Sequence, residues 1–387
     1  MYISQNYSYA ILRPIQAAIL ANGGQVRWFL QGSSVNPDFL TPDEIRLNSI
    51  DDIHNWKPDA TFAPANLIPT FFPGIKVGVF HGFDAGKLDK KGNNDHLKAR
   101  GCFDLYCTQG PNTTVPFKAL QKKLGYFKVT ETGWPTLDRL FTGELHTPYT
   151  SKADTRPTLL ICSTFSKRLS LAPKLYEQIK HFSETGKWRI LMQFHPKMPI
   201  ELVNKYKALS NQNLTFIETD DVVPLLKSAD VMLCDTSSVL LMFIVQRKPV
   251  VTFCNNAPDK HLLNVTEPNK LEDAIDLAFT YPKTLMQNIE SYCQQLHPYT
   301  DGKSSERVVA ATNEFLLSDE KLKPKPFNKL TLVDHKLPDN LFLSFRNVST
   351  VYFKTLKNLS LRDLIKTDQL VISFKSYKLF IKNNALR

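Results

Sequence analysis

The chain has 387 residues, 42% hydrophobic and 22% charged, a soluble-globular balance that at this length implies two or three domains. Its net charge of +11 is uneven: residues 321–387 hold 14 Lys+Arg against 4 Asp+Glu, leaving the first 320 residues near neutral. No run reaches the ~20 apolar residues of a membrane span, and the apolar segment 10–21 carries Arg13, Pro14 and Gln16 with no basic leader or cleavage site, which argues against a signal peptide.

In chain order, a helix over 11–21 stops at Gly23-Gly24 and is followed by the strand QVRWFL (25–30). DATFAP (59–64), KVGVFHG (76–82), FDLYCTQG (103–110) and FKVTETG (127–133) read as further buried strands separated by helical spacers. Short apolar runs alternating with helical patterns predict a doubly wound parallel sheet. Residues 143–157, polar and holding Pro148 and Pro157, read as a linker.

A second series then begins. Its strands are TLLICST (158–164), RILMQFHP (189–196), LTFIET (214–219), VMLCD (231–235) and PVVTF (249–253). Helices are predicted over 171–182, 202–210, 222–229, 237–247 and 303–316, the first with Pro173 in its opening turn. The expected architecture is therefore α/β, with two Rossmann-like domains (1–147 and 155–318) facing a cleft at their strand carboxyl ends. Residues 325–387, beyond the connector KPKPF, read as a small basic module whose apolar content is too high for a disordered arm.

Polar residues at strand ends are the candidates for chemistry. His81-Gly82 follows KVGVF in the first half, and His195-Pro196-Lys197 follows RILMQF in the second. Either histidine alone would read as structural, as the other seven do. One at a strand end in each half points instead to acid–base work. Ser163-Thr164 ends TLLIC, with Lys167 and Arg168 after it, and Asp235-Thr236-Ser237-Ser238 ends VMLC. The Asp-Thr-Ser-Ser run reads as a helix cap, and a capped helix N-terminus at a sheet edge also suits a diphosphate.

There is no H-x-x-x-H, no D-x-D at the expected crevice, no P-loop and no G-x-G-x-x-G, so neither a metal nor a dinucleotide cofactor is expected. Cys102, Cys107, Cys162, Cys234, Cys254 and Cys293 form no C-x-x-C pair and fit reduced core thiols of a cytosolic protein.

VGVFHG with Lys87 beyond it, TGWPTLDRL (132–140), FHP, DTSSV and TDGKSSERVV (300–309) together resemble the CDP-glycerol glycerophosphotransferases of teichoic-acid and capsule synthesis, over residues 60–316. The resemblance implies the GT-B architecture, an acceptor half and a donor half. It also implies transfer of glycerol phosphate from CDP-glycerol, with CMP leaving, to a hydroxyl of a cell-surface polymer or its lipid-linked primer. His81 would be the base, with Gly82, Asp84 and Lys87 on the acceptor side. His195 would assist at the donor phosphate beside Pro196, and Ser237 and Ser238 would hold the diphosphate with help from Ser163, Thr164, Lys167, Arg168, Asp235 and Thr236. The nucleobase would lie near Ile217, Thr219 and Asp220.

The chain departs from that family at Phe80, where Trp is more usual, at residues 83–87, and at Met242, where a carboxylate commonly follows the Ser-Ser pair. Two other functions fit the same pattern: a GT-B glycosyltransferase or UDP-sugar 2-epimerase relative, and a non-catalytic polyanion-binding protein. The basic tail reads either as a solvated face or as a docking surface for an anionic membrane or polymer. Nucleic acid is disfavoured, because the alternating aromatics fit strand burial equally well. The implied location is cytoplasmic, peripheral on the inner membrane face.

Overall fold

The computed structural model describes residues 1–318 except 34, 85, 87–91, 93, 95, 144–146, 150–153 and 220, and beyond them 322–323, 330–334, 351–355 and 369–372. The first half runs β1 (Tyr2–Ile3), α1 (Ser8–Ala21), β2 (Trp28–Leu30), β3 (Arg46–Leu47), α2 (Ile50–Trp56), β4 (Ala60–Ala63), β5 (Ile75–Gly78), β6 (Leu105–Thr108), α3 (Pro111–Leu124), β7 (Lys128–Glu131) and α4 (Asp138–Phe141). Every strand pair is parallel, but the single sheet expected here is divided into β1-β2-β3 and β4-β5-β6-β7.

The second half runs β8 (Thr158–Ser163), α5 (Tyr176–Thr185), β9 (Arg189–Phe194), α6 (Ile200–Lys207), β10 (Leu214–Phe216), α7 (Val223–Lys227), β11 (Val231–Cys234), α8 (Val239–Ile244), β12 (Val250–Phe253) and β13 (Leu263–Val265). It is a parallel sheet in the order β10-β9-β8-β11-β12-β13. The middle strands β8 and β11 are buried at every position, as a sheet covered on both faces requires.

β13 adds a sixth strand to the five expected; with Asn264 in a stretch of three residues, it lacks the apolar run that marked the others. Helix α5 starts at Tyr176 rather than 171, because the Leu171 N–H is donated to the Asp235 carboxylate (3.0 Å) and cannot enter a helical first turn.

α9 (Leu271–Phe279), α10 (Lys283–Leu296) and α11 (Ser304–Leu317) complete this part, and only α11 is anticipated in the sequence reading. α10 is polar overall but buries Leu285, Ile289, Cys293 and Leu296 along one stripe. It packs on α3, and α11 packs on α1 and β6, so the chain returns to the first half after closing the second. Leu12 and Ile15 of α1 and Val308 of α11 are wholly buried in one core that includes residues of both halves. Burying a Leu, Ile or Val side chain contributes about 1.5–3 kcal/mol, so this return path helps hold the halves together.

Further on, β14 (Leu330–Asp334), β15 (Val351–Thr355) and β16 (Gln369–Ile372) form a parallel sheet in the order β15-β14-β16. Among the described residues, no helix is long and apolar enough to cross a membrane.

Candidate active site between the two halves

A cleft of about 1260 Å³, open to solvent, is lined from both halves. The first contributes the α1 entrance, His81, Trp134 and Thr136; the second contributes His195, Pro196, Lys197, Thr219, Asp221 and Met242. The two histidines of the sequence reading thus reach one space. Each lies in a loop just past the carboxyl end of its strand, β5 or β9, where parallel sheets place their ligands.

His81 owes its direction to an unusual turn. Phe80 has φ +57°, a left-handed conformation that a bulky residue adopts only when its surroundings impose it. Here the Phe80 ring packs on Tyr106 and Phe117, and its carbonyl accepts the Trp134 indole N–H (3.3 Å). The next carbonyl, of Gly82, accepts from the Gln109 amide at 2.9 Å.

Held this way, His81 sets Nδ1 3.1 Å from the Pro64 carbonyl. A carbonyl only accepts, so Nδ1 carries the proton and Nε2 offers a lone pair. Burial lowers the proton affinity of His81; the Pro64 bond opposes this, and the charge of Arg100 adds to it. The ring is therefore held neutral, as a base must be.

His195 has the opposite arrangement. The Lys197 backbone N–H donates to Nδ1 at 3.1 Å, which leaves the neutral ring's proton on Nε2. The Phe165 ring lies 4.5 Å from the imidazole, centroid to centroid, and Lys197 Nζ sits 5.7 Å over Phe165. A second groove, about 880 Å³, opens from His195 and Pro196 along β9 and β10 past Met198, Phe216, Ile217 and Thr219. Ile217 and Thr219 thus adjoin His195, in a slot with apolar walls suited to a flat base. Gln193 Nε2 donates to the Thr219 carbonyl (2.8 Å) and fixes the slot's edge.

The loops expected to hold the diphosphate are arranged differently from the sequence reading. Asp235 is wholly buried, and its carboxylate accepts from Ser163 Oγ (2.7 Å), Thr164 N (3.1 Å) and Leu171 N (3.0 Å). Ser163 and Thr164 are buried too, so these three residues tie the β8 loop to the β11 loop instead of facing the cleft. Burial raises the Asp235 pKa, and the bond from Ser163 opposes that rise. Thr236 is also buried; its hydroxyl accepts the Asn256 N–H at 3.1 Å.

The anticipated cap on α8 is absent: Ser238 is in helical conformation (φ −67°, ψ −19°), not the extended one a capping hydroxyl needs, and makes no side-chain cap bond. With six residues, α8 is also a weak dipole. Ser237 and Ser238 are half-buried, Lys167 and Arg168 exposed, and none of the four lines the cleft. Met242, one turn along α8, does line it. On the acceptor side, Asp84 is engaged within its own loop by Gly86 N (2.8 Å) and Asn94 Nδ2 (2.5 Å). Lys87 and Asp220 lie outside the described residues.

Residues that sequence reasoning passed over support the His81 wall. The Trp134 N–H donates to His297 Nε2 (3.0 Å), and burial lowers the His297 pKa to about 4. Gly133 has φ +80°, and a Cβ there would come within 2.4 Å of Ser304 Oγ, so the T-G-W step admits only glycine. Arg307 clamps the Asp301 carboxylate with both terminal nitrogens (2.8 and 3.0 Å) while its Nε donates to the Thr132 carbonyl (2.8 Å). The signal was present in TGWPTLDRL and TDGKSSERVV, but nothing in the sequence says that the two motifs touch. Among the described residues, no group of three or more His, Cys, Asp or Glu is placed to hold a metal ion.

Two lobes built on parallel sheets, with a cleft lined from both, define a GT-B-like protein. The family model of CDP-glycerol:poly(glycerophosphate) glycerophosphotransferases matches residues 104–261, which bears out the resemblance read from the sequence and marks the chain as a glycerophosphotransferase-type enzyme. Among solved structures, the wall teichoic acid polymerase TagF is similar at 15% identity, covering 82% of this chain and 88% of that one with a TM-score of 0.59. A TagF variant soaked with CDPG is similar at 14% identity, over 81% and 87% of the two chains, with a TM-score of 0.59. The S. aureus MnaA–UDP structure is similar at 16% identity, over 83% and 97% of the two chains, with a TM-score of 0.58. At these identities the likeness carries the fold alone. No curated protein matches the chain at a significant level.

Proposed function

We propose that the protein transfers glycerol phosphate from CDP-glycerol to a hydroxyl of a cell-surface polymer or its lipid-linked primer. The observation that carries this reading is the complementary state of two histidines on one cleft: Nε2 of His81 is a lone pair, and Nε2 of His195 carries a proton. The acceptor oxygen attacks the glycerol-bearing phosphorus, and its proton passes to His81 Nε2. A new P–O bond forms while the bond from that phosphorus to the bridging oxygen breaks, and CMP departs with a hydrogen bond or proton from His195 Nε2. Lys197, on the same wall, offsets charge growing on the phosphoryl oxygens.

The nucleotide is assigned to the groove past Ile217 and Thr219, and the hydroxyls of Ser237 and Ser238 to the outer edge of the diphosphate. Histidine and lysine supply the acid–base and charge functions in this scheme, so transfer is proposed to proceed without a metal or other cofactor. The basic segment 325–387 is assigned to docking on an anionic surface at the inner face of the membrane.

A panel of nucleotides tests the reading. CDP and CMP are expected to raise the melting temperature more than UDP or GDP, and CDP-glycerol to yield CMP when a glycerol-phosphate primer is supplied, with or without EDTA. The MnaA–UDP likeness makes UDP the informative competitor: preference for UDP would move the protein to nucleotide-sugar chemistry.

A further inference from the structure

The acceptor wall of the cleft contains a feature that the donor chemistry does not use. Helix α1 is 14 residues long; its first turn holds no acidic residue, and no side chain caps its N-terminal N–H groups. Gln5, Asn6, Tyr7 and Ala10, which bracket that terminus, line the cleft with His81. The turn Pro135–Leu137 packs against α1 and puts Thr136 into the same lining.

Thr136 is 5% exposed, yet its hydroxyl has no hydrogen-bond partner. A buried, unpaired hydroxyl is costly, and natural structures rarely keep one without a use. A helix N-terminus attracts anions through its free N–H groups and the positive end of its dipole. Two further charges set the sign of the region. Arg100 is near enough to His81 to disfavour its protonation, and Asp221, on the cleft's other wall, is paired with Arg139 at 2.6 Å.

We propose that the N-terminus of α1, with the Thr136 hydroxyl and the Gln5 amide beside it, is a subsite for a phosphate group of the acceptor. The site selects an acceptor that is itself a phosphate ester and brings a hydroxyl of that ester to His81. Naming the anion as the acceptor's phosphate rests on the transferase reading; the existence of the anion site does not.

The test uses the full chain, with sn-glycerol 3-phosphate as probe, neutral glycerol as its control and CDP as an independent probe of the donor half. Thr136→Val keeps the shape and removes only an unpaired hydroxyl, so the fold should tolerate it. Ala10→Asp places a carboxylate in the first turn of α1, which favours the helix and repels an anion. The expected result is that glycerol 3-phosphate binds, glycerol does not, and each variant weakens glycerol 3-phosphate at least tenfold while CDP affinity is kept. Equal affinity of both variants for glycerol 3-phosphate, or equal binding of glycerol, overturns the subsite. If both variants lose the anion but the parent releases no CMP from CDP-glycerol, the subsite stands and the transferase reading falls.

Discussion

The Asp138 carboxylate, in the first half of the chain, holds the N-terminus of the last helix of the second. Oδ1 accepts the Ser304 N–H at 2.8 Å, and Oδ2 accepts the Ser305 N–H at 2.7 Å and its hydroxyl at 2.6 Å. TGWPTLDRL and TDGKSSERVV therefore meet at a joint behind the cleft. Asp138→Ala leaves three donors of a buried helix end without a partner, and is expected to cost about 3 kcal/mol. Asp138→Asn keeps one acceptor and should cost less. Chemical denaturation of the two variants measures both.

His297 makes the same joint sensitive to acid. Burial lowers its pKa from 6.5 to about 4, and the Trp134 N–H occupies Nε2, so the folded ring stays neutral while the unfolded one takes up a proton. Its contribution to stability is full above about pH 6.5 and declines as pH falls towards 4, by roughly 3 kcal/mol in all. His297→Gln keeps an acceptor for Trp134 without titrating. Unfolding free energies at pH 7 and pH 5 should differ less in that variant than in the parent, and equal differences would remove His297 from the account.

Trp134 links this joint to chemistry through one bond, its indole N–H to the Phe80 carbonyl. Trp134→Phe retains an aromatic ring but frees the strained turn that aims His81. The expected effect is a fall in kcat of about tenfold with CDP affinity unchanged. An unaltered kcat in a folded variant would show that the turn is held by packing on Phe117 and Tyr106 alone.

His81→Ala and His195→Ala should each lower transfer about 10²–10⁴-fold with the melting temperature little changed. Because burial lowers the His81 pKa, the acid limb of the rate profile should lie below the usual histidine value of 6.5. Removing His195 should leave that limb in place. An acid limb that persists in His81→Ala would assign it to another group.

The strands were the most legible part of the sequence. β8, β9, β11 and β12 are continuous apolar runs because both faces of their sheet are covered, and a run of that kind has few alternatives. α10 was not legible, since its polar composition hides a stripe of four buried residues that matters only once α3 lies against it. Asp235 was misjudged for a related reason. A carboxylate at a strand's end looks like a ligand for the cleft, yet its hydrogen bonds to Ser163, Thr164 and Leu171 turn it inwards.

By itself, the sequence determined the two parallel-sheet halves, the family resemblance and the placing of one histidine just past a strand in each half, because these follow from local pattern. Only the tertiary structure decided which polar residues face the cleft. A side chain's exposure and partners depend on segments far away in the chain: Trp134 aims the turn before His81, Lys197 sets the His195 tautomer, and Asp138 joins residues separated by more than 160 positions.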